Sequence, residues 1–437
     1  MKLENKGNFN KALDELKNDK NNCVSSLYTK KRASIDGILE NSVFTIKDNY
    51  ATDDQKATAS SMILKNFKPY YNATAVQKLL DAGAIPVAKV HCDELALGGT
   101  GKHSAFGLIT NPFDSSRLAG GSSSGSAATL TSNVSFSLGS DTGDSVRLPA
   151  SYNGIVGFKP SYGAISRFGL FAFASSLDTV AYFAHNVNDI AVLSRVMFGK
   201  DPRDMTSLDV KIDNVIKAKP QKIGVLNVKG LEKFVDEEYK KLINKLSKST
   251  TVELVSIDEK LYKAIKPVYE IISFSEASSN LANLNGIAFG SRKDGDNWEE
   301  IMTNTRADGF GEMVQLRLAL GSFFLHSKNQ EKMILKAQKV RRLIKEHIDS
   351  ILNQYDVVIY PCAADYAPYI DDSKNRSHGY MDYILTGANL SGNPSLSLPW
   401  IKNDLFVNLS IDSKIYDDEK LLSYALWIEE FLKENNE

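Results

Sequence analysis

Apolar segments of strand length alternate with longer amphipathic segments along the second half of this sequence. The strand-like stretches 222–227, 251–257 and 355–361 are separated by segments with helical periodicity, notably 236–248 and 312–352. Alternation of short β-branched runs with period-3.6 segments is typical of layered folds built around one sheet. The sequence therefore predicts an α/β fold with helices packed on a central sheet.

The first half contains a long irregular stretch between regular elements. Helices are predicted at 9–19 and 74–83, and strands at 36–46, 84–90 and 134–141. Between them, residues 97–126 hold many Gly, Ser and Asn residues and few periodic apolar ones. A loop this long inside a compact domain is usually functional or disordered. The clear elements on both sides favour a functional loop.

The charge balance argues against a chain that grips nucleic acid alone. The 437 residues carry a formal net charge of −1, with 43% hydrophobic and 24% charged residues, as in ordinary globular proteins. A protein that binds RNA through its own surface usually has a basic excess, because phosphate contacts need Lys and Arg. Contacts with nucleic acid are therefore expected mainly through a partner.

The cysteines and the N-terminal region predict a cytoplasmic protein without a metal site. Cys23, Cys92 and Cys362 are scattered and form no CxxC or Cys/His spacing, so three reduced thiols are expected. The first 19 residues hold no apolar signal core. No stretch of about 18 apolar residues occurs, so no membrane span is expected.

Two Ser/Gly-rich segments offer the chemistry of acyl transfer. They are 120–127 (GGSSSGSA) and 139–147 (GSDTGDSVR). Glycine-rich turns let backbone N–H groups converge on an anion, and a serine beside such donors can attack an acyl group. A flexible Gly/Ser loop is the usual alternative meaning of this composition. The sequence contains no G-x-x-x-x-G-K-[ST] phosphate loop.

A serine nucleophile needs a base, and the chain offers two kinds of candidate. His91 and His103 lie near the serine-rich loop in the sequence, but each is better explained as a hydrogen-bonded polar residue. A buried lysine with a lowered pKa can do the same work. Lys47, at the end of the strand-like TIK, is such a candidate, although a lysine beside a turn is usually exposed.

Together these residues resemble the amidase signature family from about Phe44 to His185, with weaker similarity to about Pro399. The similarity is carried, in a fixed order, by IKDN, DAGAIPVAKV, GGTGKHSAFG, NPFDSSRLAGGSSSGSAA, LGSDTGDSVRLPASYNGIVGFKPSYGAISRFGL and FASSLDTVA. The resemblance implies one large domain over 1–437, with an N-terminal helical segment at about 1–35 and a signature core at about 44–185. It also implies a central mixed sheet with helices on both faces.

The resemblance further implies a Ser–Ser–Lys mechanism. Ser145 matches the family's nucleophile, Ser122 the bridging serine that follows a cis peptide bond, and Lys47 the base. The oxyanion hole is matched by the backbone N–H groups of Thr142, Gly143 and Asp144. No metal or organic cofactor is implied for this chain.

Further segments indicate which amide the site takes. SAFG with NP, SRFGL, SEASSNLAN, GFGEMVQLRLALGSF and NLSGNPSLSLP are most similar to glutamine-hydrolysing subunits of tRNA-dependent amidotransferases. By this similarity, Ser123, Tyr269, Arg317 and Asp382 bind glutamine. An arginine for the α-carboxylate and an aspartate for the α-ammonium is sensible ion pairing. Without the resemblance, a core tyrosine and two solvated helix charges would be the simpler interpretation.

The expected function is therefore hydrolysis of glutamine to supply ammonia for converting glutamyl-tRNA(Gln) to glutaminyl-tRNA(Gln). The expected partners are a larger tRNA-binding subunit, which uses ATP and Mg²⁺, and a small belt subunit. Two alternatives stay open. One is a free-standing amidase for another small amide, and the other is a catalytically impaired structural subunit of the same complex.

The sequence departs from the family pattern in four respects. Glycine is usual where Ser124 and Asp144 stand, and the segment between the two serines is one residue shorter than usual. The part after Pro399 is short and lacks the usual glycine-rich strand pair. A carboxylate facing the oxyanion would oppose its charge. Asp144 is therefore expected to point away from it, toward a basic group or an N–H donor.

Overall fold

The computed structural model describes residues 1–33 and 35–435, and one sheet of eleven strands runs through this part of the chain. The strands are β1 (Val24–Leu27), β2 (Val43–Lys47), β3 (Ile85–Val90), β4 (Phe136–Asp141), β5 (Val156–Lys159), β6 (Thr179–Ala184), β7 (Lys222–Leu226), β8 (Thr251–Val255), β9 (Val357–Pro361), β10 (Ser395–Lys402) and β11 (Phe406–Asp412).

Helices of very different length surround the sheet. They are α1 (Phe9–Lys17), α2 (Thr74–Asp81), α3 (Ser124–Ala128), α4 (Arg147–Asn153), α5 (Val187–Met197), α6 (Lys233–Leu246), α7 (Glu259–Asn280), α8 (Trp298–Gly309), α9 (Glu312–Leu325), α10 (Ser327–Gln330), α11 (Lys336–Leu352), α12 (Gly387–Ser391) and α13 (Asp418–Asn435). A π-helical turn, Glu331–Leu335, joins α10 to α11, and a 3₁₀ segment, Gly379–Thr386, precedes α12.

The sheet is mixed, and its order places two functional segments side by side. The strand order is β1-β3-β2-β4-β6-β5-β10-β11-β9-β7-β8. β2 pairs in parallel with β3 and β4, and β7 pairs in parallel with β8 and β9. Because β2 and β4 are parallel neighbours, the residues that follow Lys47 and Asp141 emerge at the same edge of the sheet.

Helices cover both faces of the sheet. In β9, Val357 and Ile359 pack into one apolar cluster, whereas Val358 and Tyr360 pack into another, as the period-2 alternation of a strand requires. The first cluster includes residues of α2, α5, α6 and α13, and the second includes residues of α7, α9 and α11. This arrangement confirms the predicted α/β fold with a central mixed sheet between helical layers.

Two parts of the N-terminal region differ in detail from the sequence-based expectation. The predicted strand 36–46 begins only at Val43, because the residues before it form a turn in which Leu39 N donates to Ala82 O (2.9 Å). Asp, Gly and Asn in this stretch are typical turn formers. The segment 1–35 holds the strand β1 as well as the helix α1, and β1 pairs antiparallel with β3.

Two further expectations from the sequence concern the state of the cysteines and the presence of a membrane span. Cys23, Cys92 and Cys362 are all buried, and all three thiols are free. Within residues 1–33 and 35–435, no helix combines the length and the apolar character needed to cross a membrane.

Candidate active site

Lys47 occupies the last position of β2, and its ammonium group lies in a cluster of serine hydroxyls. The side chain is fully buried, and Nζ donates to Ser122 Oγ (2.9 Å), Ser123 Oγ (3.0 Å) and Ser140 Oγ (2.9 Å). Burial lowers the pKa of Lys47 to about 8, although nearby acidic groups such as Asp93 act in the opposite direction. A lysine in this environment can lose its proton near neutral pH and act as a base.

Ser122 follows a cis peptide bond to Gly121, as the resemblance implies. Glycine is required before it, since a Cβ at position 121 would lie 2.1 Å from Asp93 Oδ2 and 2.7 Å from Thr100 N. Asp93 N donates to Ser122 O (3.1 Å), and the Asp93 carboxylate accepts from the N–H groups of Thr100 and Gly101. Asp93 thereby fixes the long Gly/Ser loop against the catalytic turn.

Ser145 lies in the turn that follows β4 and is only 4% exposed. Ser123 N donates to Ser145 O (3.2 Å), which holds the two serine-rich segments together. Among residues 1–33 and 35–435, no hydrogen bond joins Ser122 Oγ to Ser145 Oγ, so the structure forms the Lys47–Ser122 half of the predicted relay only. Hydrogen bonds of this kind often tighten when substrate binds.

A buried ion pair clamps the turn that carries Ser145. Arg147 is fully buried, and its guanidinium donates to Asp141 at 3.0 and 3.1 Å and to Gly143 O at 2.8 Å. Burial alone would raise the pKa of Asp141, but Arg147 holds it below its usual value. Neither residue was predicted from the sequence to have a role, although the charged ends of the DTGDSVR segment were visible there.

The clamped turn leaves a row of backbone donors without partners. Within the described residues, the N–H groups of Thr142, Gly143, Asp144 and Ser145 donate to no acceptor in the protein. Unpaired backbone donors on one turn are what an oxyanion hole needs. The arrangement therefore fits the role that the resemblance implies for Thr142, Gly143 and Asp144.

Asp144 differs from the sequence-based expectation. The residue is partly exposed, and within residues 1–33 and 35–435 its carboxyl forms no hydrogen bond or ion pair, so the expected contact with a basic group or N–H donor is not made. Burial, and then repulsion from Asp141, raises the pKa of Asp144 to about 7, against attraction from Arg147 and Arg317. The carboxyl is therefore largely neutral below that pH, which removes the electrostatic conflict with an oxyanion.

The predicted substrate-binding residues fall into two groups. Tyr269 of α7 packs on the catalytic turn so closely that a Cβ on Gly143 would lie 3.1 Å from its Cζ. Arg317 of α9 is half-buried, and its guanidinium lies 5.0 Å from the centre of the Phe274 ring. Burial raises the pKa of Tyr269, whereas the charge of Arg317 acts to lower it. These two residues therefore lie beside the Ser145 turn.

Asp382 belongs to the second group, at the rim of a cavity of about 390 Å³. Its carboxylate accepts from Ser377 Oγ (2.7 Å) and from His378 N (3.2 Å). Tyr152 of α4 also lines this cavity, and its pKa is raised by burial and then by Asp144 and Asp382. The cavity therefore lies next to the catalytic turn.

Ser123 has a different environment from the one expected of a substrate-binding residue. Its hydroxyl is fully buried, accepts from Lys47 Nζ, donates to Ser140 O (3.1 Å) and accepts from Ser140 N (3.2 Å). These bonds use the hydroxyl to hold Lys47 and β4. The structure thus gives the Ser123 side chain a positioning role. Ser124, a further departure from the family pattern, has a buried Oγ without a partner in the described residues.

The structure gives the two histidines near the loop contacts other than the catalytic serines. His91 is buried, its Nδ1 lies 3.0 Å from Ser60 Oγ, and burial lowers its pKa. Its ring stacks on Phe106, 5.1 Å between centres. His103 contributes its backbone N–H to the Asp93 carboxylate (2.9 Å).

A group of side chains outside the catalytic turn has the composition of a metal site. Among residues 1–33 and 35–435, Glu232, Asp365 and His378 offer ligand atoms within 4.8 Å of one another. Arg376 forms an ion pair with Glu232, and His378 Nε2 lies 3.0 Å from the same carboxylate. A cation already neutralises this carboxylate, so the donor set fits a salt-bridge network better than a metal ion.

Comparison of the whole sequence with known proteins finds related chains. The amidase family model matches residues 10–422. The A subunit of glutamyl-tRNA(Gln) amidotransferase from Mycoplasma genitalium is 38% identical over 434 residues, covering 94% of this chain and 91% of that protein. Its counterpart from Saccharolobus solfataricus is 38% identical over 405 residues, covering 90% of this chain and 84% of that protein.

The fold comparison gives the same result. The solved structure of the glutamyl-tRNA(Gln) amidotransferase A subunit from Thermotoga maritima superposes with a TM-score of 0.80 at 33% sequence identity. The superposition covers 95% of this chain and 89% of that chain. The chain therefore belongs to the amidase family, alongside these amidotransferase A subunits.

Proposed function

We propose that this chain is the glutamine-hydrolysing A subunit of an amidotransferase that converts glutamyl-tRNA(Gln) to glutaminyl-tRNA(Gln). The observation that carries the proposal is the environment of Lys47, whose buried Nζ lies 2.9 Å from Ser122 Oγ and whose pKa is lowered to about 8. A lysine surrounded by hydroxyl groups is arranged to accept a proton rather than to form an ion pair. The relatives, which are amidotransferase A subunits by name, support the substrate class.

In the proposed reaction, Ser145 is the nucleophile and Ser122 carries the proton between it and Lys47. Neutral Lys47 accepts the hydroxyl proton of Ser122, and Ser122 accepts the hydroxyl proton of Ser145. The Ser145 Oγ then forms a bond to the amide carbon of glutamine. The carbonyl electron pair moves to oxygen, where the N–H groups of the turn 142–145 stabilise it. The C–N bond then breaks, and the relay returns the proton to the nitrogen, which leaves as ammonia.

A second half-reaction restores the protein. Water attacks the glutamyl ester on Ser145 and gives its proton to the same Ser122–Lys47 relay. The ester C–O bond breaks, Ser145 recovers its proton, and glutamate leaves. As proposed, these steps use no metal ion or organic cofactor.

The proposal assigns the charged ends of glutamine to Arg317 and Asp382. Arg317 forms no salt bridge within the described residues, so its guanidinium is available for the α-carboxylate. Asp382 accepts hydrogen bonds from Ser377 and His378 and would bind the α-ammonium across the cavity. A free-standing amidase for a neutral amide would need neither charge, so these two residues favour glutamine.

The proposed complex divides the work between chains. The relatives are named as one subunit of an amidotransferase, and this chain has a net charge of −1, which suits binding of tRNA through a partner. We assign tRNA binding and the ATP and Mg²⁺ chemistry to a larger subunit, with a small belt subunit completing a heterotrimer. The location we propose is the cytoplasm, where the translation substrates are found.

Ammonia release from glutamine tests the proposal directly. The chain is assayed alone and with its partner subunits and charged tRNA, beside Ser145→Ala and the matched control Ser249→Ala, a serine between α6 and β8. Glutamine hydrolysis by the wild type and the control, and none by Ser145→Ala, is the expected result. Efficient hydrolysis of neutral amides without activity on glutamine would favour the free-standing amidase, and no hydrolysis in any condition would favour a structural subunit.

A further inference from the structure

Asp178 is a buried acidic residue that the proposed reaction does not use. It ends the segment FASSLD, which carries part of the family resemblance but received no role from it. The residue is 4% exposed. Burial raises the pKa of Asp178 to about 6, although its hydrogen bonds act to lower it, so the carboxyl is ionised at the pH where Lys47 loses its proton. An ionised carboxylate in the interior is costly unless donors surround it.

Three uncharged donors supply hydrogen bonds to this carboxylate. Phe173 N donates to Oδ2 (2.9 Å), and Ala174 N donates to both oxygens (3.1 and 3.0 Å). These bonds close the loop 173–178 on itself. The third donor, Thr142 Oγ1, lies 2.8 Å from Oδ1 and belongs to a different segment. This bond therefore joins the loop to the turn that carries the proposed oxyanion donors.

The pairing of β4 with β6 explains why Asp178 and Thr142 meet. Asp141, the last residue of β4, pairs in antiparallel register with Thr179, the first residue of β6. The residue after β4 and the residue before β6 therefore lie opposite each other beyond the end of the ladder. The main chain brings the two side chains within reach, and the hydrogen bond between them then fixes the direction of the Thr142 side chain.

Gly143 is the residue of the turn whose orientation depends most on its neighbours. Glycine has no side chain to restrict its backbone, and a Cβ here would lie 3.1 Å from Tyr269 Cζ. The Gly143 N–H belongs to the same planar peptide unit as the Thr142 carbonyl, so holding Thr142 orients this donor. On the other side, Arg147 donates to Gly143 O (2.8 Å) and so orients the peptide unit that carries the Asp144 N–H. The turn is therefore held on both sides of its glycine.

We propose that Asp178 is a positioning residue for the oxyanion hole, which holds Thr142 so that the N–H groups of Thr142 and Gly143 point at the substrate oxygen. The proposal rests on the proposed function, because it assumes that Ser145 attacks an acyl group. Donors that are in place before the reaction stabilise the developing charge without reorganisation, so a small displacement of the turn lowers the rate. Asp178 acts through the Thr142 hydroxyl and not by contact with the substrate.

Removing the Thr142 hydroxyl tests the proposal without disturbing the loop 173–178. Thr142→Val keeps the shape of the side chain, and Asp178 keeps its two backbone donors, so the fold is expected to stay intact. The variant is expected to lower kcat for glutamine about 10- to 100-fold with KM within about threefold, because the donors act on the developing charge and not on the bound substrate. Thr142→Ser, which retains the hydroxyl, is expected to keep both constants within about threefold.

A second buried threonine–aspartate bond supplies the matched control. Thr74 Oγ1 donates to Asp201 Oδ2 (2.5 Å) at the start of α2. Thr74→Val is expected to lower the free energy of unfolding but to leave kcat unchanged, which separates a loss of stability from a loss of positioning. Asp178→Asn is expected to keep kcat within about fivefold, because its amide can accept from the two backbone N–H groups and donate to Thr142 Oγ1.

A fluorophosphonate gives a second measurement that does not depend on glutamine. Ser145 Oγ forms a bond to its phosphorus with loss of fluoride, and the phosphoryl oxygen takes the place of the oxyanion. The rate of Ser145 labelling is expected to fall in Thr142→Val by the same factor as kcat. Slower labelling in this variant, together with a wild type that hydrolyses no glutamine, would contradict the proposed function but support the positioning role.

Four results would overturn the proposal. The first is a Thr142→Val variant whose kcat and labelling rate stay within about threefold of the wild type. The second is a loss of kcat of equal size in Thr74→Val, and the third is a wild type whose Ser145 is not labelled. The fourth is a large loss in Asp178→Asn without one in Thr142→Val, which would assign the effect to the charge and not to the hydrogen bond.

Discussion

Replacing Asp144 with asparagine measures the effect on the reaction rate of the carboxylate charge beside the proposed oxyanion hole. The substitution keeps the shape of the side chain but removes a carboxyl whose pKa burial raises to about 7. The backbone N–H of the same residue is one of the donors that we propose for the hole. Two unit charges at about 5 Å repel by about 3 kcal/mol at an effective dielectric near 20, or about a hundredfold in rate.

Two titrations then set the pH dependence of kcat/KM for glutamine. The rate increases as Lys47, with a pKa of about 8, loses its proton, because the base must be neutral. The rate decreases as Asp144, with a pKa of about 7, loses its proton, because this carboxyl must be neutral as well. The wild type is therefore expected to show a narrow maximum at about pH 7.5. In Asp144→Asn the falling limb disappears. The gain is about twofold at pH 7, where half of the carboxyl is protonated, and approaches about a hundredfold at pH 9.

The assay is the initial rate of glutamate formation, followed by mass spectrometry from about pH 6 to about pH 9. Asp213→Asn, which alters an exposed aspartate near α13, is the matched control and should keep the wild-type profile. Identical profiles for Asp144→Asn and the wild type would refute the reasoning. A hundredfold gain already at pH 7 would show instead that the carboxylate is charged there and opposes the oxyanion.

The same carboxyl links pH to folding stability. Its folded pKa of about 7 lies above the usual 3.8, so the wild type loses stability as pH rises from about 4 to about 7, and Asp144→Asn escapes this loss. Because the side chain is partly exposed, the expected gain at pH 8 is about 2 kcal/mol in the free energy of unfolding. Urea unfolding of both proteins at about pH 4 and about pH 8 measures it, and an equal difference at the two pH values would contradict the raised pKa.

Three further predictions concern the base, the substrate and the division of labour. Lys47→Ala is expected to lower kcat by several orders of magnitude, because the relay then has no proton acceptor, and single-turnover kinetics that remain fast would exclude this lysine as the base. Arg317→Ala is expected to raise the KM for glutamine about 10- to 100-fold with little change in kcat or melting temperature, since one charged hydrogen-bond partner is lost. Unchanged kinetics would point to a neutral substrate. The isolated chain is expected to bind tRNA weakly in filter binding, and tight, salt-sensitive binding would show that it carries the tRNA surface itself.

Much of the fold followed from local patterns in the sequence. The strands that contain Val357 and Ile85 were predicted because apolar, β-branched runs of this length are buried in sheets. Strand order could not be derived, since pairings such as that of β10 with β5 join residues more than 200 positions apart. The start of β2 was misplaced because turn residues before Val43 compete with the apolar pattern.

The sequence predicted the residue types of the site but not the contacts that hold these residues in place. Lys47 and the two serine segments were visible as chemistry, and the resemblance supplied their roles. The clamp between Asp141 and Arg147 and the anchoring of the loop by Asp93 depend on contacts that form only in the fold. The pKa of Asp144 likewise depends on burial, which the sequence does not reveal, and its missing hydrogen-bond partner contradicted the expectation.

The central claim is that Ser145 becomes acylated by glutamine, with Lys47 and Ser122 as its proton relay. The most direct measurement is peptide mapping by mass spectrometry after the chain and glutamine are mixed and rapidly quenched in acid. We predict a glutamyl ester on the peptide that contains Ser145, and none in Ser145→Ala. A glutamyl group on a different residue, or ammonia release by Ser145→Ala at the wild-type rate, would contradict the claim.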